Sequence, residues 1–133
     1  MLGDQIAELK GKIMVQRVLD VQGPTMETSV SASGSIKGTQ VKETLTFIAK
    51  PTSPGVLHGV GQGVLMAGES EIVSNTGEGI GRITSSGGVQ WRGAIYYSTS
   101  STGKLAFLNN VVGVFESELD AEGNFSDKIW EWK

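Results

Sequence analysis

Two glycine triplets constrain the fold of this chain more than any other feature: Gly59-Val60-Gly61-Gln62-Gly63 and Gly77-Glu78-Gly79-Ile80-Gly81. Each triplet repeats with a period of two residues, which is the side-chain period of a β-strand, so one face of each strand carries no side chains. Glycine inside a strand is usually found where the sheet bends sharply or where another backbone comes close. Two such strands in succession predict a strongly coiled sheet, as the closing of a barrel requires.

Alternation of apolar and polar residues recurs along the chain, whereas helical periodicity is nearly absent. Short glycine-rich turns separate the alternating segments, and such connections join antiparallel neighbours. We therefore expect an all-β fold, an antiparallel barrel of about eight strands, with at most a helical turn near Asp4–Leu9. Pro51–Gly55 is expected to be a loop, because proline cannot continue a strand ladder. The predicted strands are Ile13–Val21, Met26–Ile36, Thr39–Ala49, Val56–Met66, Glu71–Thr84, Val89–Ser98, Leu105–Glu118 and Phe125–Trp132.

Composition limits the class of protein. The 133 residues, 38% hydrophobic and 19% charged, predict a single globular domain spanning residues 1–133. A net charge of −3 without a basic cluster argues against nucleic-acid binding. The absence of cysteine excludes disulfides, zinc–thiolate sites and thiol catalysis. We expect a cytoplasmic protein without membrane contact, because the sequence has neither a signal-peptide pattern nor an apolar run of about 18 residues.

The order of several segments resembles a known family. The turn Gly34–Gly38 precedes a long strand, and the stretches Val56–Gly63, Thr76–Arg82 and Ser101–Asn110 follow it. This order is similar to that of small prokaryotic proteins with the allene oxide cyclase-like β-barrel, over roughly Lys12–Lys133. The resemblance implies an eight-stranded barrel of the allene oxide cyclase-like or calycin-like kind, homo-oligomers such as dimers or trimers, and no established activity. The catalytic residues of the plant cyclase do not align with specific positions here, so none is carried over.

His58 is the only histidine, and it shares a strand face with Val60 and Val64. Histidine is the usual general acid or base at neutral pH, so His58 is a candidate for proton transfer. The alternative is a hydrogen-bonded structural or surface residue. Gln62, on the same strand, is a candidate polar group inside the barrel.

Arg17 and Glu43 each interrupt an apolar alternating face. If both faces line the barrel, an inward Arg17–Glu43 pair could bind a carboxylate or a phosphate, because arginine offers a bidentate fork. Alternatively, a bulge or a shift of register by one residue would place both side chains in solvent.

Aromatic side chains, among them Trp91 and Tyr97, either line a ligand cavity or fill the barrel. Asn109 and its neighbour Asn110 lie in a predicted strand, where asparagine is disfavoured, so they indicate a bulge or a hydrogen-bonding role.

No catalytic motif or cofactor fingerprint is present; the glycine triplets lack the spacing of a dinucleotide site. The sequence favours a barrel that binds a small apolar or amphipathic molecule, without cofactor or metal. The alternatives are a filled barrel that acts through homo-oligomer contacts, and an isomerase or cyclase that moves a proton with a carboxylate or His58. The candidate ligand-binding residues are Arg17, Glu43, His58, Gln62, Trp91, Tyr97 and Asn109.

Overall fold

The chain forms a closed antiparallel barrel of eight strands, as the alternation predicts. The computed structural model describes residues 1–133. Each strand pairs with the next along the chain, and the last pairs with the first, so the sheet has no free edge. The strands are β1 (Leu2–Asp20), β2 (Thr25–Ile36), β3 (Thr39–Ser53), β4 (Val56–Ala67), β5 (Glu71–Ile83), β6 (Val89–Ser98), β7 (Val112–Leu119) and β8 (Asn124–Trp132).

Three local predictions were wrong. The expected helical turn at Asp4–Leu9 is instead part of β1, where it pairs with both β2 and β8. The Pro51–Gly55 loop is shorter than expected, since β3 continues to Ser53 with a register shift at its end. The predicted strand Leu105–Glu118 begins only at Val112, because a 3₁₀ turn occupies Ala106–Leu108.

The glycine triplets of β4 and β5 face the barrel interior, where they make room for large side chains. Gly59 and Gly81 lie against the indole of Trp91: an added Cβ would come within 2.7 Å of the ring at Gly59 and 2.9 Å at Gly81. Gly79 gives the same room to Phe115, whose ring would lie 3.1 Å from an added Cβ. The bare strand faces therefore accommodate aromatic rings that extend across the barrel.

One end of the barrel, here called the base, is closed. The connection between β6 and β7 folds under it, and Leu105 and Leu108 from this connection are fully buried. They belong to a continuous apolar cluster inside the barrel. The opposite end, the mouth, is where β3 leads into β4 and β5 into β6. The buried cluster includes Ile6, Leu9, Val30, Ile36, Val41, Leu65, Val73 and Ile129.

No helical segment reaches the length and hydropathy that a membrane span requires.

A β-bulge in β1 decides which of its side chains face inward. Ile13 pairs with Val30, but the next pair is Val15 with Ser29, so Met14 is an extra residue. Beyond the bulge, the even-numbered residues of β1 face inward. One of them is Gln16, whose side-chain amide donates a hydrogen bond to the Thr28 hydroxyl at 3.2 Å.

Candidate functional site

A cavity of about 100 Å³ lies inside the barrel, above the apolar base. Its wall combines aromatic rings, bare glycine backbone and a group of polar side chains. Such a mixture of apolar lining and a few convergent polar groups is typical of small-molecule sites. The polar residues on the wall that face inward are Glu43, Asn75, Ser117 and Asp127, and the aromatic residues are Phe47, Trp91, Phe115 and Phe125.

Glu43 on β3 crosses the interior to reach Asn75 on β5. The Asn75 amide donates a hydrogen bond of 2.8 Å to Glu43 Oε2. Gly63 on the intervening strand permits this contact, because a Cβ there would lie 2.9 Å from Glu43 Oε2. Burial raises the pKa of Glu43 to about 7, the Asn75 bond opposes this rise, and the charge of Asp127 adds to it. Glu43 therefore changes charge near neutral pH.

Asp127 on β8 is the second buried carboxyl group. It lies opposite Ser117 in the β7–β8 register, and the Ser117 hydroxyl donates a hydrogen bond of 2.6 Å to Asp127 Oδ1. Burial raises the pKa of Asp127 to about 6, although the Ser117 bond favours the charged form.

Tyr97 is buried near both carboxyl groups. Burial raises the pKa of its phenol well above the usual value, and the charges of Glu43 and Asp127 raise it further. The phenol is therefore neutral over the range in which the two carboxyl groups titrate.

Trp91 separates the cavity from the mouth. Its ring meets Phe47 edge to face, with centroids 5.5 Å apart. Both residues also line a cleft of about 690 Å³ at the mouth, bounded by Pro51–Gly55, which comprises the end of β3 and the turn into β4. Trp91 Nε1 is buried and has no hydrogen-bond partner in the protein, which is unfavourable for a buried donor.

Arg17 does not meet Glu43. The bulge at Met14 turns Arg17 to the outer surface, where its Nε lies 3.7 Å from Glu27 Oε1 and its side chain is 66% exposed. The inward pair, one of the two arrangements that the sequence left open, is therefore absent, and the bulge considered as its alternative places Arg17 in solvent. Glu43, by contrast, faces inward and not into solvent.

The other candidates divide between wall and surface. Trp91 lines the cavity and Tyr97 is buried beside it. His58 lies on the outer face of β4, with Nε2 3.1 Å from Glu78 Oε2, and Gln62 is exposed on the same face. Asn109 is exposed in the β6–β7 connection, where its Oδ1 accepts a hydrogen bond from the Thr99 backbone N–H at 3.1 Å. Neither Gln62 nor Asn109 joins Glu43 in the interior.

Asn75, Ser117 and Asp127 were missed from the sequence. Each sits on an alternating face whose neighbours are apolar or glycine, such as Phe125 and Ile129 around Asp127. This is the pattern that singled out Glu43, and it identifies these positions as inward once the strands are assigned.

The interior lacks the ligand set of a metal site. No group of three or more histidine, cysteine, aspartate or glutamate side chains is placed to hold a metal ion. No protein-family model, curated protein or solved structure matches this chain. The similarity to the allene oxide cyclase-like barrel therefore stays a prediction, and function is argued from the geometry alone.

Proposed function

We propose that this protein binds a small amphipathic molecule inside the barrel. The observation that carries the proposal is the cavity of about 100 Å³ walled by Glu43, Asn75 and Asp127, directly below the cleft of about 690 Å³ at the mouth. The polar group of the ligand lies among the carboxyl groups, and its apolar body lies between Trp91 and the mouth.

The chemistry of the wall favours binding over a purely structural interior. Buried carboxyl groups are unfavourable for folding, and strongly perturbed carboxyl groups are concentrated at functional sites.

A fluorescent probe tests this proposal. N-phenyl-1-naphthylamine, a neutral apolar dye, should gain fluorescence on mixing with the protein, and Ala49→Trp, which fills the mouth cleft, should weaken binding about tenfold or more. Thr102→Trp is the matched control, since Thr102 is exposed in the connection under the base. Equal binding by both variants would place the dye outside the barrel and contradict the proposal.

Native mass spectrometry of the protein from its expression host gives an independent test. A small molecule that co-purifies at stoichiometry and is released on denaturation supports a binding barrel.

Self-association is a second candidate role, favoured by apolar side chains on the outer faces of β4 and β5. Val60, Met66 and Ile72 are 52%, 50% and 55% exposed, and Met66 lies opposite Ile72 in the register. Scattered exposed apolar residues are common, but adjacent ones on neighbouring strands favour an interface. Light scattering should show a dimer or trimer that Ile72→Lys dissociates, whereas a monomeric wild type would exclude this role.

Acid–base catalysis is a third candidate, favoured by the pKa of Glu43 of about 7, since a catalytic group works best when its pKa is near the working pH. His58 does not fit this role, because it lies on the outer wall. Solvent deuterium should then enter a co-purified ligand with wild-type protein and not with Glu43→Gln.

A further inference from the structure

We infer that the cavity recognises the protonated amino group of a small organic amine through Glu43 and Asp127; this inference rests on the proposed ligand-binding function. The signs of the charges inside the barrel support it. Both acidic side chains are buried on the cavity wall, and no lysine, arginine or histidine of the chain is buried. A ligand carboxylate or phosphate would add a negative charge to a site with no positive one, which is strongly unfavourable in a low-dielectric interior.

Each carboxyl group has one oxygen atom that accepts no hydrogen bond from the protein and can bind a ligand. Glu43 Oε2 accepts a hydrogen bond from the Asn75 amide, and Asp127 Oδ1 accepts one from the Ser117 hydroxyl. The second oxygens, Glu43 Oε1 and Asp127 Oδ2, make no hydrogen bond to the protein. They are also not fully enclosed, since Trp91 Nε1 is the one fully buried side-chain polar atom without a partner. An ammonium group carries three N–H donors, which suits two carboxylate acceptors at one place.

The aromatic part of the wall fits the same ligand. Trp91, Phe47 and Phe115 line the cavity beside the carboxyl groups, and the face of an aromatic ring attracts a cation, most strongly for tryptophan. A cavity of about 100 Å³ holds an ammonium group with a short chain, and the remainder of the ligand extends into the mouth.

Amine binding should become tighter as pH rises through the range in which the carboxyl groups ionise. The groups that face Glu43 and Asp127 are Asn75 from β5, Tyr97 from β6 and Ser117 from β7, and of these only Tyr97 can titrate. Its phenol stays neutral, so the two carboxyl groups alone set the charge. Below their pKa values the affinity should fall about tenfold per pH unit for each carboxyl group that must lose its proton.

Three probes of similar shape and different charge provide the test: phenethylamine, phenethyl alcohol and hydrocinnamate. Isothermal titration calorimetry at about pH 8, where the folded-state carboxyl groups are ionised, measures each affinity. We expect phenethylamine to bind at least about tenfold more tightly than the alcohol, and hydrocinnamate to bind weakest. Glu43→Gln and Asp127→Asn should each weaken amine binding about tenfold and leave alcohol binding unchanged. Glu122→Gln, the same chemical change in an exposed turn, should have no effect.

The outcomes separate this inference from the function on which it rests. If the alcohol or hydrocinnamate binds as tightly as the amine, the barrel is a binding protein and the amine assignment is overturned. The assignment is also overturned if the amine binds but Glu43→Gln and Asp127→Asn leave its affinity unchanged. If no probe binds at about 10 mM and N-phenyl-1-naphthylamine also fails to bind, both proposals are overturned.

Discussion

Raising the pH should destabilise this barrel, because its two buried carboxyl groups hold their protons more tightly in the folded state than in the unfolded chain. The pKa of Glu43 rises from 4.5 to about 7 on folding, and that of Asp127 rises from 3.8 to about 6. Between these limits the folded protein binds more protons than the unfolded chain, so the free energy of unfolding falls as pH rises. The stabilisation is complete below the unfolded pKa values and is lost as pH passes through the folded values.

The size of the effect follows from the pKa of Glu43. At about 1.4 kcal/mol per pH unit, the rise from 4.5 to about 7 corresponds to about 3 kcal/mol of stability lost between about pH 4 and pH 8. Asp127 contributes a similar amount, although the two contributions interact and do not simply add. For a chain of this length, about 3 kcal/mol lowers the melting temperature by about 10 °C.

Glu43→Gln isolates this contribution, since glutamine has the shape of the protonated carboxyl group and its carbonyl oxygen can accept the Asn75 bond. Urea unfolding of wild type and variant at several pH values from about 5 to 8 measures the difference. We expect similar stability at the acidic end and a variant that is more stable by up to about 3 kcal/mol at pH 8.

Glu122→Gln controls for the change in net charge and should follow the wild type across the pH range. Asp127→Asn should flatten the remaining pH dependence of the Glu43→Gln variant. Parallel pH profiles for wild type and Glu43→Gln would refute the reasoning, because Glu43 would then titrate equally in the folded and unfolded states.

Three further predictions concern other parts of the barrel. Gly59→Ala should lower the free energy of unfolding in urea by about 1–3 kcal/mol, because the added methyl group clashes with the Trp91 indole ring. Trp91→Phe should reduce this loss, whereas additive effects of the two substitutions on stability would contradict the contact. Asp120→Ala should lower the melting temperature at neutral pH but not in acid, since the hydrogen bond from the Asn124 side chain lowers the pKa of the exposed Asp120 carboxyl group. An equal drop in melting temperature at neutral and acidic pH would contradict this. In an alkaline titration followed by ultraviolet absorbance, the Tyr97 share of the signal should appear only on unfolding, whereas complete titration of both tyrosines in the folded barrel would contradict its burial.

The strands could be predicted because a period of two residues is a local property of the chain. β6 has the predicted bounds, Val89–Ser98, because its alternating inward residues are bounded by glycine and serine turns. The first half of β1 could not be predicted in this way. Asp4–Leu9 lacks regular alternation, and it is a strand because it pairs with β2 and β8 from distant parts of the sequence. Long-range pairing overrides weak local preference here.

The site was harder to predict, since strand alternation gives the face of a side chain but not its neighbours. Glu43 was singled out because a charged residue in an apolar face is conspicuous, but the sequence left open whether it faces the interior or solvent. Its partner Asn75 lies two strands away, and the contact depends on Gly63, a residue that offers no side chain to notice. The glycine triplets predicted a coiled sheet. They also make room for Trp91 and for the Glu43–Asn75 hydrogen bond, but these contacts form only in the closed barrel and could not be predicted from the sequence.

One extra residue in β1 decides whether Arg17 faces the interior or the surface. In a regular ladder from Ile13, Arg17 would lie opposite Met26 and face the interior near the mouth. The bulge at Met14 places Arg17 opposite Glu27 instead, on the outer surface. The interior then contains two carboxyl groups without a counter-ion, and their pKa values rise because no positive charge offsets their burial. With Arg17 on the surface, no arginine faces the interior to bind an anion, and the two unpaired carboxyl groups favour a cation.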